Sequence, residues 1–494
     1  MQFAIPLALI GVASAYALRR WPIGWAQVLI WVLVLQNIVD IAVWKLTGST
    51  SLATNLIYAK ELMIAGGAVM AVPPVVDAIQ ARKLPLIGSL ALAFGAVCAL
   101  WVVISYIALN EPLEQVARGL RSLAYPAILL VIGLMVLPGK EAAVRLRRTL
   151  WWTGIVLGLS VIIERTFIPP QFWLSIGLDK YWVNVKGESL AMLNGGLPWN
   201  FFLVLLGATV RRGFGIMTDP LALSYYLILP LGLAVAEVWR VRIASNTWAR
   251  LPIVAAVLCA AGITFSLTRV TIAIGAGLVV LIPLVMIGMV LGRYRRAVAV
   301  AVVSGALFGA IGLVSVATTP HIGSAAIAAN APLGVGSDGA HATSVLRARD
   351  WQPLLIGKGL GTSGYLSAKY ANTAAAIGYE NIYLDTAAQV GGLGALLMAA
   401  LLGVTTVLLL RGPTSLVYLA LPTGATFGLL AVAGVLSGQL EVITSLGATW
   451  LFCGVMLAAV RAERAEVPRE PESEVPARGV APEPDVPTPA GTRS

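Results

Sequence analysis

Long apolar runs recur along almost the whole chain, and they constrain its fold more than any other feature. Most are close to the roughly 20 residues that an α-helix needs to cross the ~30 Å hydrocarbon core of a membrane. In lipid, only helices and closed barrels satisfy their own backbone polar groups. We therefore predict an all-α fold, a polytopic transmembrane helical bundle of about 12–13 helices among membrane lipids. The candidate spans lie at about 3–18, 23–44, 55–79, 84–108, 119–138, 149–168, 219–238, 250–267, 270–291, 297–317, 382–410, 415–436 and 442–460.

The charges of the chain predict how the spans are threaded through the membrane. Only 12% of the residues are charged, against about 25% in soluble domains. Most basic residues lie in short connections, where positive charge fixes membrane orientation, so the net charge of +11 does not indicate nucleic-acid binding. Basic clusters occupy alternate connections, at residues 19–20, 82–83, 140–148, 240–250, 293–296 and 411.

By the positive-inside rule, these basic connections face the cytoplasm, and the two long connections, about 169–218 and 318–381, lie outside. This parity gives thirteen helices with the N-terminus outside. The short apolar piece at 201–210 fits a re-entrant segment or a half-helix in the first long loop. If it spans the membrane, the helix count and the side of the N-terminus change, and twelve helices is the competing count.

Two regions follow from this division of the chain. Residues 1–464 form the transmembrane bundle, whose outer loops are those two long connections. Residues 465–494 are rich in proline and glutamate and hold almost no large apolar side chains. Such a segment cannot bury a core, so we expect a disordered cytoplasmic tail.

The first stretch that points to chemistry reads Arg-Arg-Gly-Phe-Gly at 211–215, with Thr-Asp-Pro at 218–220 directly before a long span. Charges at membrane depth are costly, so each one calls for an explanation. Gly and Pro break the backbone there and expose N–H groups. The adjacent Arg211 and Arg212 suit a phosphate or diphosphate, which guanidinium groups bind bidentately. The alternative is that both only anchor a helix end at the lipid headgroups.

The second stretch is Ser-Leu-Thr-Arg at 266–269, between two apolar runs that have almost no loop between them. A charge in such a tight turn either reaches for the membrane surface or points into a polar cavity. By the parity of the spans, Arg269 lies on the same side of the membrane as Arg212. The two arginine turns are therefore predicted to share one outward-facing site.

The second outer loop is the longest part of the chain that suits a hydrophilic substrate. It carries the two histidines of the sequence, His321 and His341, and several charges, among them Arg347 and Arg349. Gly-Lys-Gly-Leu-Gly at 357–361 predicts a flexible turn without the spacing of a P-loop. Two histidines twenty residues apart are too few for a metal site.

The end of this loop offers a candidate general base. Glu380 and Asn381 open the next helix, where a carboxylate complements the helix dipole. A carboxylate there also suits removal of a proton from a sugar hydroxyl, and His341 is a second candidate for that role. We interpret the other charges in or beside spans as structural: Asp40, Lys60, Glu61, Asp77, Arg118, Arg121, Glu164, Arg165 and Glu441.

The order of these pieces resembles the O-antigen ligase and O-antigen polymerase superfamily of bacterial polysaccharide assembly, over about residues 200–410. Arg-x-Gly-Phe-Gly and Asp-Pro precede a span, and a Ser-Leu-Thr-Arg turn follows. The large loop then ends in Glu-Asn-Ile-Tyr-Leu at 380–384, which leads into Gly-Gly-Leu-Gly at 391–394. Arg212 or Arg211 matches the first arginine of that family's pattern, and Arg269 matches the second. Glu380 stands where the ligases typically place histidine, which favours a polymerase.

The resemblance implies a GT-C-type membrane glycosyltransferase in the bacterial cytoplasmic membrane, with an extracytoplasmic active site. Its implied partners are an undecaprenyl-diphosphate-linked oligosaccharide and a glycan or lipid acceptor. Because that donor is already activated, no cofactor and no metal is implied. Arg211, Arg212 and Arg269 would hold the diphosphate, and Glu380 or His341 would deprotonate the acceptor. Arg347, Arg349, Asn381 and Tyr383 complete the expected substrate contacts.

Three alternatives remain open from the sequence. A ligase would transfer the glycan to a different acceptor. A lipid-linked glycan flippase or transporter would use the same arginines to bind diphosphate, although such proteins more often show Gly/Pro breaks in several helices. A scaffold without enzymatic activity would use the tail as its docking segment.

Overall fold

A computed structural model describes residues 4–186, 193–194, 197–198, 201–205, 208–292, 352–362, 381–434 and 442–466. The first helices are α1 Ala4–Arg20, α2 Pro22–Thr47, α3 Thr50–Ile57, α4 Ala59–Gln80, α5 Leu86–Val103, α6 Leu113–Met135, α7 Gly139–Phe167, α8 Pro170–Ser175 and α9 Leu178–Asn184. Four short strands follow, β1 Leu193–Asn194, β2 Leu197–Pro198, β3 Phe202–Leu205 and β4 Ala208–Arg211. The remaining helices are α10 Pro220–Ser245, α11 Arg250–Phe265, α12 Arg269–Val290, α13 Gln352–Ile356, α14 Ile382–Leu410, α15 Val417–Ala433 and α16 Ile443–Glu466.

The prediction of an all-α, multi-pass membrane bundle is confirmed. Within the described ranges, ten helical segments are long and apolar enough to cross a membrane. The predicted spans at 3–18 and 250–267 are also helical, but α1 has 17 residues and α11 has 16. The predicted span at 297–317 lies outside the described residues.

The helix ends gather at two opposite ends of the bundle. We call the end that holds residues 201–217 the loop end. There, the Asn37 side chain of α2 donates to the Met217 carbonyl at 2.7 Å, and the Phe214 N–H donates to Glu164 of α7 at 3.2 Å. Both contacts come from the C-terminal halves of α2 and α7, two helices that the predicted alternation of the spans ends on the same side.

We call the opposite end, which holds Lys140 and Arg461, the basic end. Lys140 Nζ at the start of α7 lies 3.2 Å from Glu463 Oε2 near the end of α16. Arg461 donates to the Lys83 carbonyl between α4 and α5 at 2.8 Å. Two of the basic connections that the sequence analysis places in the cytoplasm thus lie at this end. Which compartment each end faces stays a prediction.

Close backbone packing joins an early helix to the last one. Gly133 of α6 faces the Leu451 carbonyl of α16, and Gly454 of α16 faces the Leu130 carbonyl of α6. A Cβ atom at either glycine would overlap the opposite backbone. Small residues at such a crossing let two membrane helices approach closely, which is a main source of their attraction in lipid.

The half-helix expected at 201–210 is wrong, and a re-entrant path for this segment stays a prediction. Strands β3 and β4 pair antiparallel there, with Phe202 opposite Arg211 and Leu205 opposite Ala208. A short apolar run fits a strand as well as a buried piece of helix, and periodicity alone does not distinguish them. The hairpin pairs its own backbone groups, so the segment needs no helix at this end of the bundle.

The tail begins slightly later than the sequence predicts. Ala465 and Glu466, assigned to the disordered segment, are the last residues of α16. Helix α16 continues past the predicted span by a polar, exposed turn, which a search for apolar runs does not detect. Arg464 in this turn donates to the Arg411 carbonyl at 2.7 Å. Residues 467–494, the rest of the predicted tail, lie outside the described residues.

Helix α14 is broken at Gly391, and a piece of the second outer loop inserts at the break. Gly391 has a φ of 80°, which interrupts the helical hydrogen-bond ladder. The Lys358 and Gly359 N–H groups donate to the carbonyls of Ala388 and Gln389, at 2.7 and 3.2 Å. A turn is present at 357–361 as predicted, with left-handed φ at Gly357, Gly359 and Gly361, and these hydrogen bonds to residues distant in sequence hold its backbone.

Candidate functional site

The arginine pair at 211–212 is anchored by a cluster of aromatic side chains at the loop end. Phe201 lies across the hairpin from Arg212, and Phe214 follows Arg212 two residues later. Both rings are fully buried. The Phe214 ring centroid lies 4.9 Å from that of Trp173 and 4.5 Å from that of Phe201. The Arg212 N–H donates to the Phe201 carbonyl at 2.7 Å. Burial of these rings fixes where the arginines leave the hairpin.

Arg212 joins the two arginine turns directly. Its side chain is 8% exposed, its Nε donates to the Ser266 carbonyl at 2.8 Å, and its Nη2 bonds to Thr268 Oγ1. The neighbouring Gly213 N–H donates to the Phe265 carbonyl at 2.9 Å. The structure thus brings together the two stretches that the topology predicted to share one face.

These contacts fix the turn from which Arg269 emerges. Leu267 adopts a left-handed φ of 53°, which is strained for a side chain of this type. Thr268 Oγ1 also accepts from Ser224 Oγ of α10, at 3.1 Å. A fork of guanidinium donors to a carbonyl and a hydroxyl holds the turn in this conformation. Arg212 therefore acts on the neighbouring turn, and its donors to that turn are occupied.

Arg269 differs from both other arginines of the predicted site. It is the first residue of α12, its side chain is exposed, and it makes no ion pair with any residue of the described part of the chain. A cation at a helix N-terminus opposes the helix dipole, so helix stability does not explain its position. Together with the N–H groups of the first turn, it presents donors suited to an anion.

Arg211 is committed to the scaffold. Its Nη2 lies 3.1 Å from Glu164 Oε1 and donates to the Ile168 carbonyl at 3.0 Å, so the residue ties the hairpin to the end of α7. Burial lowers the pKa of this guanidinium, and the charge of Glu164 opposes that shift. Arg211 is therefore the least suited of the three predicted diphosphate ligands.

The Asp-Pro pair that follows starts helix α10. Asp219 Oδ1 accepts the N–H groups of Leu221 at 2.9 Å and Ala222 at 3.3 Å, and Pro220 is the first helical residue. Burial raises the pKa of the Asp219 carboxyl, and these two N–H groups, Arg212 and then Lys186 oppose the shift. Asp219 thus links the arginine turns to a second group of charges.

The predicted helix entry after the second outer loop also lies at the loop end. Asn381 caps α14, since its Oδ1 accepts the N–H groups of Tyr383 at 2.9 Å and Leu384 at 3.2 Å. The Tyr383 hydroxyl donates to the Ala431 carbonyl at 2.7 Å. Both residues thus have structural partners. Four other predicted site residues lie outside the described residues: Glu380, His341, Arg347 and Arg349.

One group of functional candidates was missed or set aside from the sequence. Lys186 lies in the first outer loop, where only the arginine pair was noticed, and its Nζ donates to Asn37 Oδ1 at 3.2 Å. Asp40 and Lys60, interpreted as structural, face Lys186 from α2 and α4. The signal in the sequence was the placement of Asp40 and Lys60 near the outer ends of predicted spans; Lys186 had no such signal.

The fold and these buried charges define the class as a multi-pass helical membrane protein with a charged interior at its loop end. No protein-family model matches the chain, and no curated protein matches it at a significant level.

Proposed function

We propose that this protein is a membrane glycosyltransferase that polymerises or ligates undecaprenyl-diphosphate-linked glycans, with a polymerase favoured over a ligase. The reaction would take place at the loop end, on the outer face of the bacterial cytoplasmic membrane. The observation that supports this most is the direct bonding of Arg212 to the turn before Arg269. It places an exposed arginine, with no ion pair in the described part of the chain, at a helix N-terminus beside buried charge.

In this proposal, Arg269 and the first-turn N–H groups of α12 bind the diphosphate of the donor. The acceptor hydroxyl loses its proton to Glu380, or to His341, and its oxygen attacks the anomeric carbon. The bond from that carbon to the diphosphate oxygen breaks, and the lipid diphosphate leaves with the electron pair. Because negative charge grows on the leaving group, Arg269 stabilises the transition state more than the ground state.

Arg212 receives a different role from the one that the resemblance implies. Its side-chain bonds to Ser266 and Thr268 make it a positioning residue for Arg269. Arg211 holds the hairpin to α7 through Glu164. The proposal therefore keeps one of the three predicted arginines as a diphosphate ligand and assigns the other two to its support.

The test is a reconstitution of the purified protein with a lipid-linked oligosaccharide on the accessible face. Longer glycans would indicate a polymerase, and transfer to another acceptor would indicate a ligase. We expect Arg269→Gln to lower the transfer rate by about 10²–10³, the scale for loss of one charge-stabilising donor. Arg250→Gln is the matched control, because Arg250 is the exposed first residue of α11 at the basic end. Equal activity of both variants would contradict the proposal.

One observation favours the transporter alternative. Helix α14 is broken at Gly391, and α5 ends in a π-helical turn at Ile104–Ala108. Discontinuous helices are a feature of secondary transporters. The same reconstitution distinguishes the two classes: a flippase moves the lipid-linked glycan across the bilayer and leaves its length unchanged.

A further inference from the structure

A second group of buried charges surrounds Lys186, apart from the turn that carries Arg269. Lys186 follows α9 in the first outer loop, and Asp40, Lys60, Glu61 and Arg121 reach it from α2, α4 and α6. Asp40 is 1% exposed and Lys60 is 7% exposed. Three helices and one loop thus place ionisable groups of both signs together at the loop end, where Lys186, Glu61 and Arg121 are partly buried.

The two lysines of this group lack direct ion pairs within the part of the chain that the structure describes. Lys60 Nζ donates to the Ile57 carbonyl at 3.2 Å, and Lys186 Nζ donates to Asn37 Oδ1 at 3.2 Å. Lys186 Nζ also lies 5.6 Å from the centre of the Tyr181 ring. Both ammonium groups therefore keep donors that a further acceptor can use.

The neighbouring polar groups are also incompletely bonded. Asp40 Oδ2 and the hydroxyls of Tyr181 and Thr218 are buried and have no hydrogen-bond partner among the described residues. Buried polar atoms are normally bonded to protein, ordered water or ligand. Asp40 and Tyr181 lie beside Lys186, and Thr218 follows Met217, whose carbonyl bonds to the same Asn37 side chain as Lys186. Unbonded polar groups in this arrangement indicate a position that holds water or a polar ligand group.

The charges of the described residues at this position do not balance. Arg121 Nη1 pairs with Glu61 Oε1 at 2.6 Å, and the Asp219 carboxylate is held by two backbone N–H groups and faces Arg212. Among the residues that the structure describes, two lysines then remain against Asp40, which leaves one positive charge in excess. An uncompensated buried charge is costly, so a ligand of negative charge is its natural complement.

We propose that Lys60 and Lys186 form an anion subsite that binds a phosphate or diphosphate group of a second substrate. The identity of that substrate rests on the proposed function. Glycosyl transfer needs two substrates, and because Arg269 binds the donor, the second substrate is the acceptor. Asp40 sets the strength of the subsite, because its carboxylate competes with the ligand for both ammonium groups. The Tyr181 ring packs beside Lys186 as its wall.

The test measures binding without turnover. Inorganic diphosphate is titrated into the purified full-length protein carrying Arg269→Gln, which removes the donor site, and binding is followed by calorimetry. We expect Lys186→Met in this background to weaken diphosphate binding by about tenfold or more, as for loss of a charge-assisted contact. Lys180→Met is the matched control, since Lys180 is an exposed lysine of α9 six residues earlier and should leave binding unchanged.

Asp40→Asn gives a test of opposite sign. Removing the competing carboxylate should tighten diphosphate binding by several-fold, an effect that general damage to the fold does not produce. Weaker binding by Asp40→Asn, or unchanged binding by Lys186→Met, would overturn the subsite. If the Lys186→Met variant does not fold, the effect of Asp40→Asn on diphosphate binding decides whether the subsite exists.

Two further arms identify the source of the anion. The titration is repeated in nanodiscs that contain phosphatidylglycerol. If the site binds bulk lipid headgroups, these will compete with diphosphate, and the Lys186-dependent binding will be lost. That loss would overturn the acceptor assignment. Retained binding there supports a substrate site. If wild type binds diphosphate as expected but transfers no glycan, the subsite stands and the proposed function fails.

Discussion

The buried charges at the two ends of the bundle are organised in opposite ways. At the basic end, Arg147 and Arg240 both bond to Glu237, with three nitrogen-to-oxygen distances of 2.7–2.8 Å. The Arg147 guanidinium also lies 4.7 Å from the centre of the Trp151 ring. At the loop end, Lys60 and Lys186 bond to a carbonyl and an amide oxygen, and Asp40 keeps an unbonded carboxylate oxygen within the described residues.

This difference distinguishes a charge cluster that stabilises the fold from one that is ready for a ligand. The cluster at the basic end uses planar guanidinium groups, which suit bidentate pairing and stacking on aromatic rings. The one at the loop end uses lysines, whose compact ammonium groups bind a phosphate as point charges. Four experiments test the comparison, from the largest expected effect to the smallest.

Removal of the shared carboxylate should break the basic-end cluster. We expect Glu237→Gln to lower the free energy of unfolding by about 3–5 kcal/mol, because it leaves the buried Arg147 uncompensated. Lys186→Met, the counterpart at the loop end, loses one hydrogen bond but also removes the positive charge in excess, so a loss of at most about 1–2 kcal/mol is expected. Thermal unfolding of both variants in the same detergent measures the difference. Equal losses would contradict the distinction.

The positioning role of Arg212 predicts a kinetic effect without loss of the diphosphate site. Arg212→Lys keeps the charge but cannot bond to Ser266 and Thr268 together. We expect about a tenfold fall in kcat, with a smaller change in KM, because a displaced Arg269 loses contacts made in the transition state. A change in KM alone would instead indicate that Arg212 binds substrate directly.

The loop-end subsite should be sensitive to alkaline pH. Burial lowers the pKa of the Lys186 ammonium, and the charge of Asp40 opposes this shift. Below that pKa the group is charged and binds; binding is lost as pH rises through it, at a pH below the ordinary lysine value of about 10.4. Among the described residues, the ionisable groups that face Lys186 are Asp40, Lys60, Glu61, Arg121, Tyr181 and Asp219.

The matched variant for this pH effect is Lys186→Arg, whose charge persists at alkaline pH. Titration of inorganic diphosphate at several pH values, in the Arg269→Gln background, should show binding that survives to higher pH in this variant. The same pH profile for lysine and arginine would show that another group controls the binding.

An exposed ion pair should matter least. Arg145 pairs with Glu141 at 2.7 Å on the surface of α7, two residues before the buried Arg147. We expect Arg145→Ala to lower the free energy of unfolding by only about 0.3–0.5 kcal/mol, as for other exposed pairs one helical turn apart. Thermal unfolding of Arg145→Ala and Glu237→Gln in the same detergent compares the two losses of stability. A loss as large as that of Glu237→Gln would show that burial is not what separates the two clusters.

The transmembrane architecture could be predicted from the sequence because length and hydropathy are local properties. The parity of the spans predicted that Arg212 and Arg269 lie on the same side, but the bonds between Arg212 and the turn before Arg269 came only from the structure. The hairpin at 201–211 could not be predicted, because its apolar residues also fit a helix. The insertion at the α14 break could not be predicted either, since carbonyls freed by Gly391 fix its conformation.

The candidate site was predicted less well than the fold. The sequence indicated three arginines of similar type, but their different roles depend on Glu164, Ser266 and Thr268. Lys186 carried no local signal at all, because its significance comes from residues about 150 positions earlier in the chain. Local sequence patterns do not show the role of a side chain when that role depends on partners that are distant in the sequence.

The glycine crossing of α6 and α16 has a consequence for how the protein is made. Gly133 emerges from the ribosome more than 300 residues before its partner Gly454. Helix α6, which also carries Arg121, therefore enters the bilayer before α16, against which it packs. It stays without that partner until the last helix has been synthesised. A chain interrupted before α16 would leave that face of α6 to lipid or to quality-control proteases. Completion of the loop-end scaffold is thus coupled to insertion of the last helix.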